Sequence, residues 1–404
     1  MDFYTVFLGY LAADLVTSGM DEEDLEKLNS PGMDLKEKWE IFFPYWNLAK
    51  NTHYSKSALI FVKDLFGIEV IDHKATVEIT EKLKESNKTD YYHKILKKKC
   101  NIGYILNDLD PLRGKGIIKQ IEPDKDYFLP ILRADELIMI NSKRDLEKIE
   151  KQENISIYSF HDYIDYTDSV FEKRPKIYGV KIGIAYGRDI KFLDVSKQQA
   201  EESFGKLLNI KKYGWHRTRE KDNISIEELR DFQDYMYHYC IKKAIQYDLP
   251  AQIHTGIHAG VENDIRNSNP TLLTDVILKY KKAKFDLFHT GYPFADELIC
   301  MVKTSKNCYF NMCWMSTISR LLYKNILNLA IEMLPSNKIF GFGGDNVRIE
   351  GSYAAIKIAR ETIAEVLCSR IKEGYFDFRQ AIEFAERILA KNPEEVYLKW
   401  KSGR

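Results

Sequence analysis

An α/β barrel of the (β/α)8, TIM-like kind is the fold class this sequence predicts, and three observations carry that expectation. From about residue 100 onward, short β-rich runs alternate with helical patterns, the signature of βαβ units and a parallel sheet. Three of those runs end on metal-binding side chains: Ala251-Gln252-Ile253-His254-Thr255-Gly256, Phe285-Asp286-Leu287-Phe288-His289-Thr290-Gly291 and Ile339-Phe340-Gly341-Phe342-Gly343-Gly344-Asp345. Parallel strands ending in His, His and Asp aim those groups at one point most readily in a barrel, whose active sites lie at the C-terminal strand ends. Finally, 404 residues give room for one long barrel domain, although two ordinary domains would also fit.

Seven strands are expected, at 102–107, 127–132, 177–186, 250–256, 285–291, 308–314 and 339–345. Helical patterns lie at 225–247, at 268–281 with an Asn269-Pro270 start, and at 350–374 and 378–390. The first hundred residues read differently, with helices at 21–28, 35–43, 55–66 and 76–85 and loops at Ser30-Pro31-Gly32 and Pro44. We expect residues 1–100 to be a helical insertion or cap of the barrel domain and 101–404 to be a metal-dependent barrel. Seven strands do not close an eight-stranded barrel, so these are numbered second to eighth. The one candidate for the first, residues 3–10, runs without a turn into Leu11-Ala12-Ala13-Asp14-Leu15, which favours a helix. The first strand is therefore expected to be absent from this chain.

Lys plus Arg and Asp plus Glu both number 60, so no net field draws the chain to nucleic acid or to an anionic membrane. A small-molecule substrate is the default, with a carboxylate among the groups it would carry; homo-oligomerisation is left open. The six cysteines form no C-x-x-C pair, which argues against a disulfide framework and for a reducing, cytoplasmic setting. The apolar N-terminus lacks a basic n-region and carries Asp2 and Asp14, so it reads as folded structure and not as a signal peptide. No run approaches the roughly 18 apolar residues of a membrane helix.

Strand alternation sets which residues face inward. Lys181, Gly183 and Ala185 share a face of the fourth strand; Gln252 and His254 share one in the fifth. Leu287 and His289 share one in the sixth, with Asp286 a polar exception on the opposite face; Gly341, Gly343 and Asp345 share one in the eighth. Lys181, His254, His289 and Asp345 can thus all point inward near strand ends. Imidazole and carboxylate donors suit a divalent ion, zinc first. Such an ion would bring a bound water toward neutral pKa, and Asp345 could both ligate it and take the water's proton. Lys181 reads three ways: a carbamylated metal bridge, a charge partner of Asp345 or of a substrate carboxylate, or a snorkelling side chain. His258 stands in the loop after the fifth strand, within reach of substrate or simply solvated. Arg188 and Arg348 are placed to clamp an anion, or else to make surface salt bridges. Trp215-His216-Arg217 is a weak signal for a pocket wall.

The set Gln252-Ile253-His254-Thr255-Gly256, His289-Thr290-Gly291-Tyr292-Pro293 and Gly343-Gly344-Asp345, with the terminal Ile388-Leu389-Ala390-Lys391-Asn392-Pro393, resembles the amidohydrolase superfamily, in the amidohydrolase-related branch near uronate isomerase-like proteins. The resemblance covers most of the chain from about residue 100, and more weakly the early helical segment with Ala13-Asp14-Leu15. It implies a distorted barrel with a divalent metal, His254 and His289 as ligands, Asp345 as ligand and proton shuttle, and Lys181 at the fourth-strand position. One departure stands out: family members open with His-x-His on the first strand, and no His-x-His occurs among these 404 residues. Either that strand lies upstream of the residues given, or this member has lost half of the site. The leading expectation is a metal-dependent hydrolase. A uronate isomerase-like aldose-ketose isomerase is the second, although its Asp-x-Arg spacing is here Asp345 to Arg348. A catalytically silent barrel is the third.

Overall fold

The computed structural model describes residues 2–86, 90–109, 127–173, 177–208 and 225–398. Seven strands follow one another along it: β1 (Ile105–Leu109), β2 (Phe128–Arg133), β3 (Val180–Ile182), β4 (Pro250–Ile253), β5 (Lys284–Leu287), β6 (Cys308–Asn311) and β7 (Ile339–Phe340). They form one sheet in strict sequence order. The barrel-type α/β sheet is thus present with seven strands among the described residues, one in each expected run, behind a helical N-terminal region.

The strands stop earlier than the hydrophobic runs do. The run at 177–186 yields only Val180–Ile182, followed by a 3-10 turn Ile184–Tyr186. The run at 285–291 yields Lys284–Leu287 and then the turn Phe288–Gly291, in which His289 and Thr290 have φ of 61° and 54°. The run at 339–345 yields two strand residues, and Asp345 has φ 48°. Left-handed backbone cannot continue a β-ladder, so the donors that read as strand residues are delivered by turns just past the strands.

The chain divides into two compact units, one made of 1–103, 256–265 and 310–393, the other of 104–255, 266–309 and 394–404. In the first, residues 3–7 are helical and not a strand, but a turn at Gly9-Tyr10 separates them from the next helix, Leu11–Thr17, where the sequence was expected to run on without one. The Asp2 carboxylate accepts the Thr5 N–H at 2.9 Å and caps the helix Phe3–Phe7. That turn buries Phe3, Tyr4 and Phe7 in a core with Leu11, Leu15, Phe42, Trp46, Phe61 and Val62. Lys38 is buried beside it with its ammonium 2.7 Å from Asp2. Burial opposes the Asp2 charge, but the Lys38 bond and the Thr5 cap together hold its carboxyl below the ordinary value.

Pro44 was expected to break the chain into a loop, but the helix Leu35–Ala49 runs through it. An interior proline costs about 3 kcal/mol. Phe42, Trp46 and Ala49 lie at i, i+4 and i+7 on the buried face, and burying two large aromatics offsets that cost at about 1.5–3 kcal/mol for each large apolar side chain.

In the second unit, β1 pairs with β2 from Ile105↔Phe128 to Leu109↔Leu132, and β4 with β5 from Pro250↔Lys284 to Ile253↔Leu287. The long helix Ile226–Gln246 starts at a Ser225/Glu228 capping box and buries Phe232 against Phe160, Tyr163 and Phe204. The polar exception Asp286 is explained here: it is buried on β5 and accepts a 2.5 Å bond from the Tyr397 phenol.

Candidate metal centre

His254 and His289 follow β4 and β5 directly. The His254 N–H donates to the Ile182 carbonyl at 2.9 Å, which extends the β3–β4 register by one residue and fixes the start of its side chain. His289 is turned by its left-handed backbone, and Thr255 ties the two loops together by donating its hydroxyl to the Phe288 carbonyl at 2.6 Å. Both imidazoles are buried, and His289 Nε2 stands 3.1 Å from His254 Nδ1, a hydrogen bond between the two rings. With zinc–nitrogen bonds of about 2.0–2.1 Å, two nitrogens on one ion sit about 2.9 Å apart at a right angle and about 3.4 Å apart at a tetrahedral one. The observed spacing falls between those limits, so this pair of residues fits a shared ion.

Lys181 is buried on β3, with Nζ 3.5 Å from the centre of the Phe288 ring. An ammonium seated on an aromatic face is electrostatically favoured. Its register neighbour on β2 is Arg133, whose guanidinium bonds Asp108 at 2.8 Å and Asp135 at 2.7 Å. The other Asp135 oxygen accepts the Gly183 N–H at 2.6 Å. Burial pushes the Asp135 carboxyl up, and the charge of Arg133 opposes it. Sequence reading missed Arg133 and Asp135; the signal was their place at and just past the end of the run 127–132.

Arg188 is not free to clamp an anion. It is 3% exposed and binds Asp234 at 2.7 Å, Gln233 at 3.1 Å, and the carbonyls of Lys191 and Asp189 at 3.0 and 3.1 Å. The ion-pair alternative applies, with the pair inside the unit and not on its surface.

In the first unit, Asp345 presents an exposed carboxylate, and its backbone carbonyl accepts a hydrogen bond from the Tyr10 phenol. Tyr10 packs on Trp314, ring centres 4.6 Å apart, and the Trp314 N–H donates to Gly343 at 2.8 Å. Cys313, absent from the sequence-based set, is buried with Sγ within 4.8 Å of an Asp345 carboxylate oxygen. Arg348 is exposed at the N-cap of the helix Ile349–Lys372. His258 is buried and not solvated. Trp215-His216-Arg217 lies outside the described residues.

The parallel sheet thus carries imidazole donors past two strand ends and a carboxylate past another. Residues 224–398, less than half of the chain, match the amidohydrolase family model. Over 158 residues, 38% of this chain, it is 27% identical to Protein fluG of Emericella nidulans, and the match spans 18% of that protein's length. Three solved structures share the fold. A uronate isomerase from Thermotoga maritima superposes with TM-score 0.79 at 14% identity, covering 98% of this chain and 90% of that one. A glucuronate isomerase from Caulobacter crescentus gives 0.70 at 17%, covering 96% and 84%. A protein described as a metal-dependent hydrolase from Lactobacillus casei gives 0.67 at 18%, covering 89% and 87%.

Proposed function

We propose that the chain is a metal-dependent hydrolase of the amidohydrolase superfamily, with His254, His289 and Asp345 holding a divalent ion, zinc first among them. The observation that supports this best is the His254–His289 pair: two buried imidazoles 3.1 Å apart, at the spacing of two ligands on one ion. A bound ion supplies a water acidified toward neutrality and polarises the oxygen of the bond to be cleaved.

The protein's own groups do the rest. The exposed carboxylate of Asp345 accepts a proton from the attacking water and returns it to the leaving atom. The Tyr10 phenol donates to the backbone carbonyl of Asp345, whose φ is 48°. Lys181 Nζ lies 3.5 Å from the centre of the Phe288 ring, and its role in this reading is to attract a substrate carboxylate. Arg348 and His258 are the remaining candidates for contacting a small-molecule substrate. Arg188 is left out, since its donors are spent on Asp234 and its neighbours.

The test is a panel of carboxylate-bearing amides, esters and lactones offered to the metal-loaded chain, with Asp345→Asn as control. Hydrolysis that the variant loses supports the reading. Conversion of uronates to ketoses with no hydrolysis would replace it with the isomerase reading.

A further inference from the structure

Cys313 lies two residues past β6 and is 5% exposed. The Asn311 side-chain oxygen accepts its N–H at 2.9 Å, so the strand end itself orients it. Its Sγ stands within 4.8 Å of an Asp345 carboxylate oxygen. The surroundings are shaped for that sulfur: a Cβ added at Gly343 would stand 2.5 Å from the Cys313 Sγ and 2.8 Å from its Cβ. Those are distances at which one of the two residues must move. The glycine two residues before Asp345 therefore leaves the thiol beside the carboxylate.

A thiolate and a carboxylate on one zinc ion, with bonds of about 2.3 Å and about 2.0–2.2 Å, sit roughly 3.5 Å apart in tetrahedral geometry. Asp345 is exposed, and binding one ion would draw its carboxylate up to about 1 Å closer to the sulfur. We propose that Cys313 is a thiolate ligand of the divalent ion, which rests on the reading above that Asp345 holds one. On binding, the thiol releases its proton to solvent and the sulfur lone pair forms the bond to the ion; no electron changes hands. The consequence is selectivity. A sulfur donor shifts the site toward zinc, cobalt or iron and away from magnesium or manganese, and supplies a donor in a chain whose 404 residues contain no His-x-His.

Cobalt(II) added to the full chain tests this directly. The visible d–d bands report that the ion is bound, and a near-ultraviolet thiolate-to-cobalt charge-transfer band reports the sulfur. The wild type is expected to show both. Cys313→Ser is expected to keep the d–d bands, lose the charge-transfer band and bind cobalt at least about tenfold more weakly, since a direct ligand should matter no less than an outer-shell partner. Wild-type d–d bands without charge transfer, or a charge-transfer band unchanged in Cys313→Ser, would overturn the thiolate assignment and leave the ion at Asp345 standing. The wild-type spectrum decides even if Cys313→Ser does not fold. Absence of any cobalt spectrum would remove the reading on which the proposal rests.

Discussion

Arg188→Met separates a structural arginine from a substrate clamp. In the folded chain Asp234 is fully buried, and its two oxygens accept from the Arg188 guanidinium at 2.7 Å and from the Leu193 N–H at 3.0 Å. Methionine keeps much of the apolar stem but removes the charge, so Asp234 retains one backbone donor and loses its counter-ion. Breaking a buried pair from one side costs about 3–5 kcal/mol. With the Leu193 bond intact, the lower end, about 3 kcal/mol, is the expected loss in guanidinium unfolding. Burial already pushes the Asp234 carboxyl up, against the opposing charge of Arg188, and removing that charge lets it rise further. An acid whose folded pKa is raised binds its proton more readily in the folded state, so its penalty is relieved at low pH and grows as pH rises through the folded value. The deficit of Arg188→Met should therefore be largest near neutrality and shrink on acidification. Adding Asp234→Leu should restore at least half of it, because replacing both partners removes the stranded charge. A variant within about 1 kcal/mol of wild type would refute the reasoning and return Arg188 to the candidate substrate contacts.

Three further outcomes follow from local geometry. Tyr397→Phe removes the donor bonded to buried Asp286 and should destabilise by about 1–3 kcal/mol in the same assay; no loss would mean that Asp286 is satisfied without it. Under native conditions thiol titration should find two fast cysteines, Cys300 and Cys368, which are the exposed ones. Burial pushes Cys100 up to about 11 and Cys240 up to about 12, so both should stay unreactive until the chain is unfolded. Gly343→Ala should cost about 1–3 kcal/mol through overpacking against Cys313, and an unperturbed unfolding midpoint would contradict the close packing described there.

The strand pattern was legible because buried parallel strands leave continuous apolar runs, and each of the seven runs holds a strand. Their ends were not: the apolar character of Phe288 and Phe342 continues after the backbone has left the ladder, and sequence alternation cannot register a left-handed His289 or Asp345. Residues 3–7 were legible as helix, but the turn at Gly9-Tyr10 that ends them was not, and Pro44 misled because tertiary burial of Phe42 and Trp46 outweighed a local rule. His254 and His289 were legible as strand-end imidazoles. Arg188 drew a clamp reading because its partner Asp234 lies 46 residues away in sequence on another element. Cys313 was passed over because cysteines were sought as C-x-x-C pairs, although it ends the run 308–314 as His254 and His289 end theirs.

Metal content tests the central claim most directly. The purified 404-residue chain, loaded with zinc, manganese or iron and freed of excess ion, should retain close to one ion per chain. His254→Ala and His289→Ala, shown by circular dichroism to be folded, should each lower the affinity at least about tenfold. A folded wild-type chain that retains no ion, or both variants binding as tightly as wild type, would contradict a metal centre at His254, His289 and Asp345.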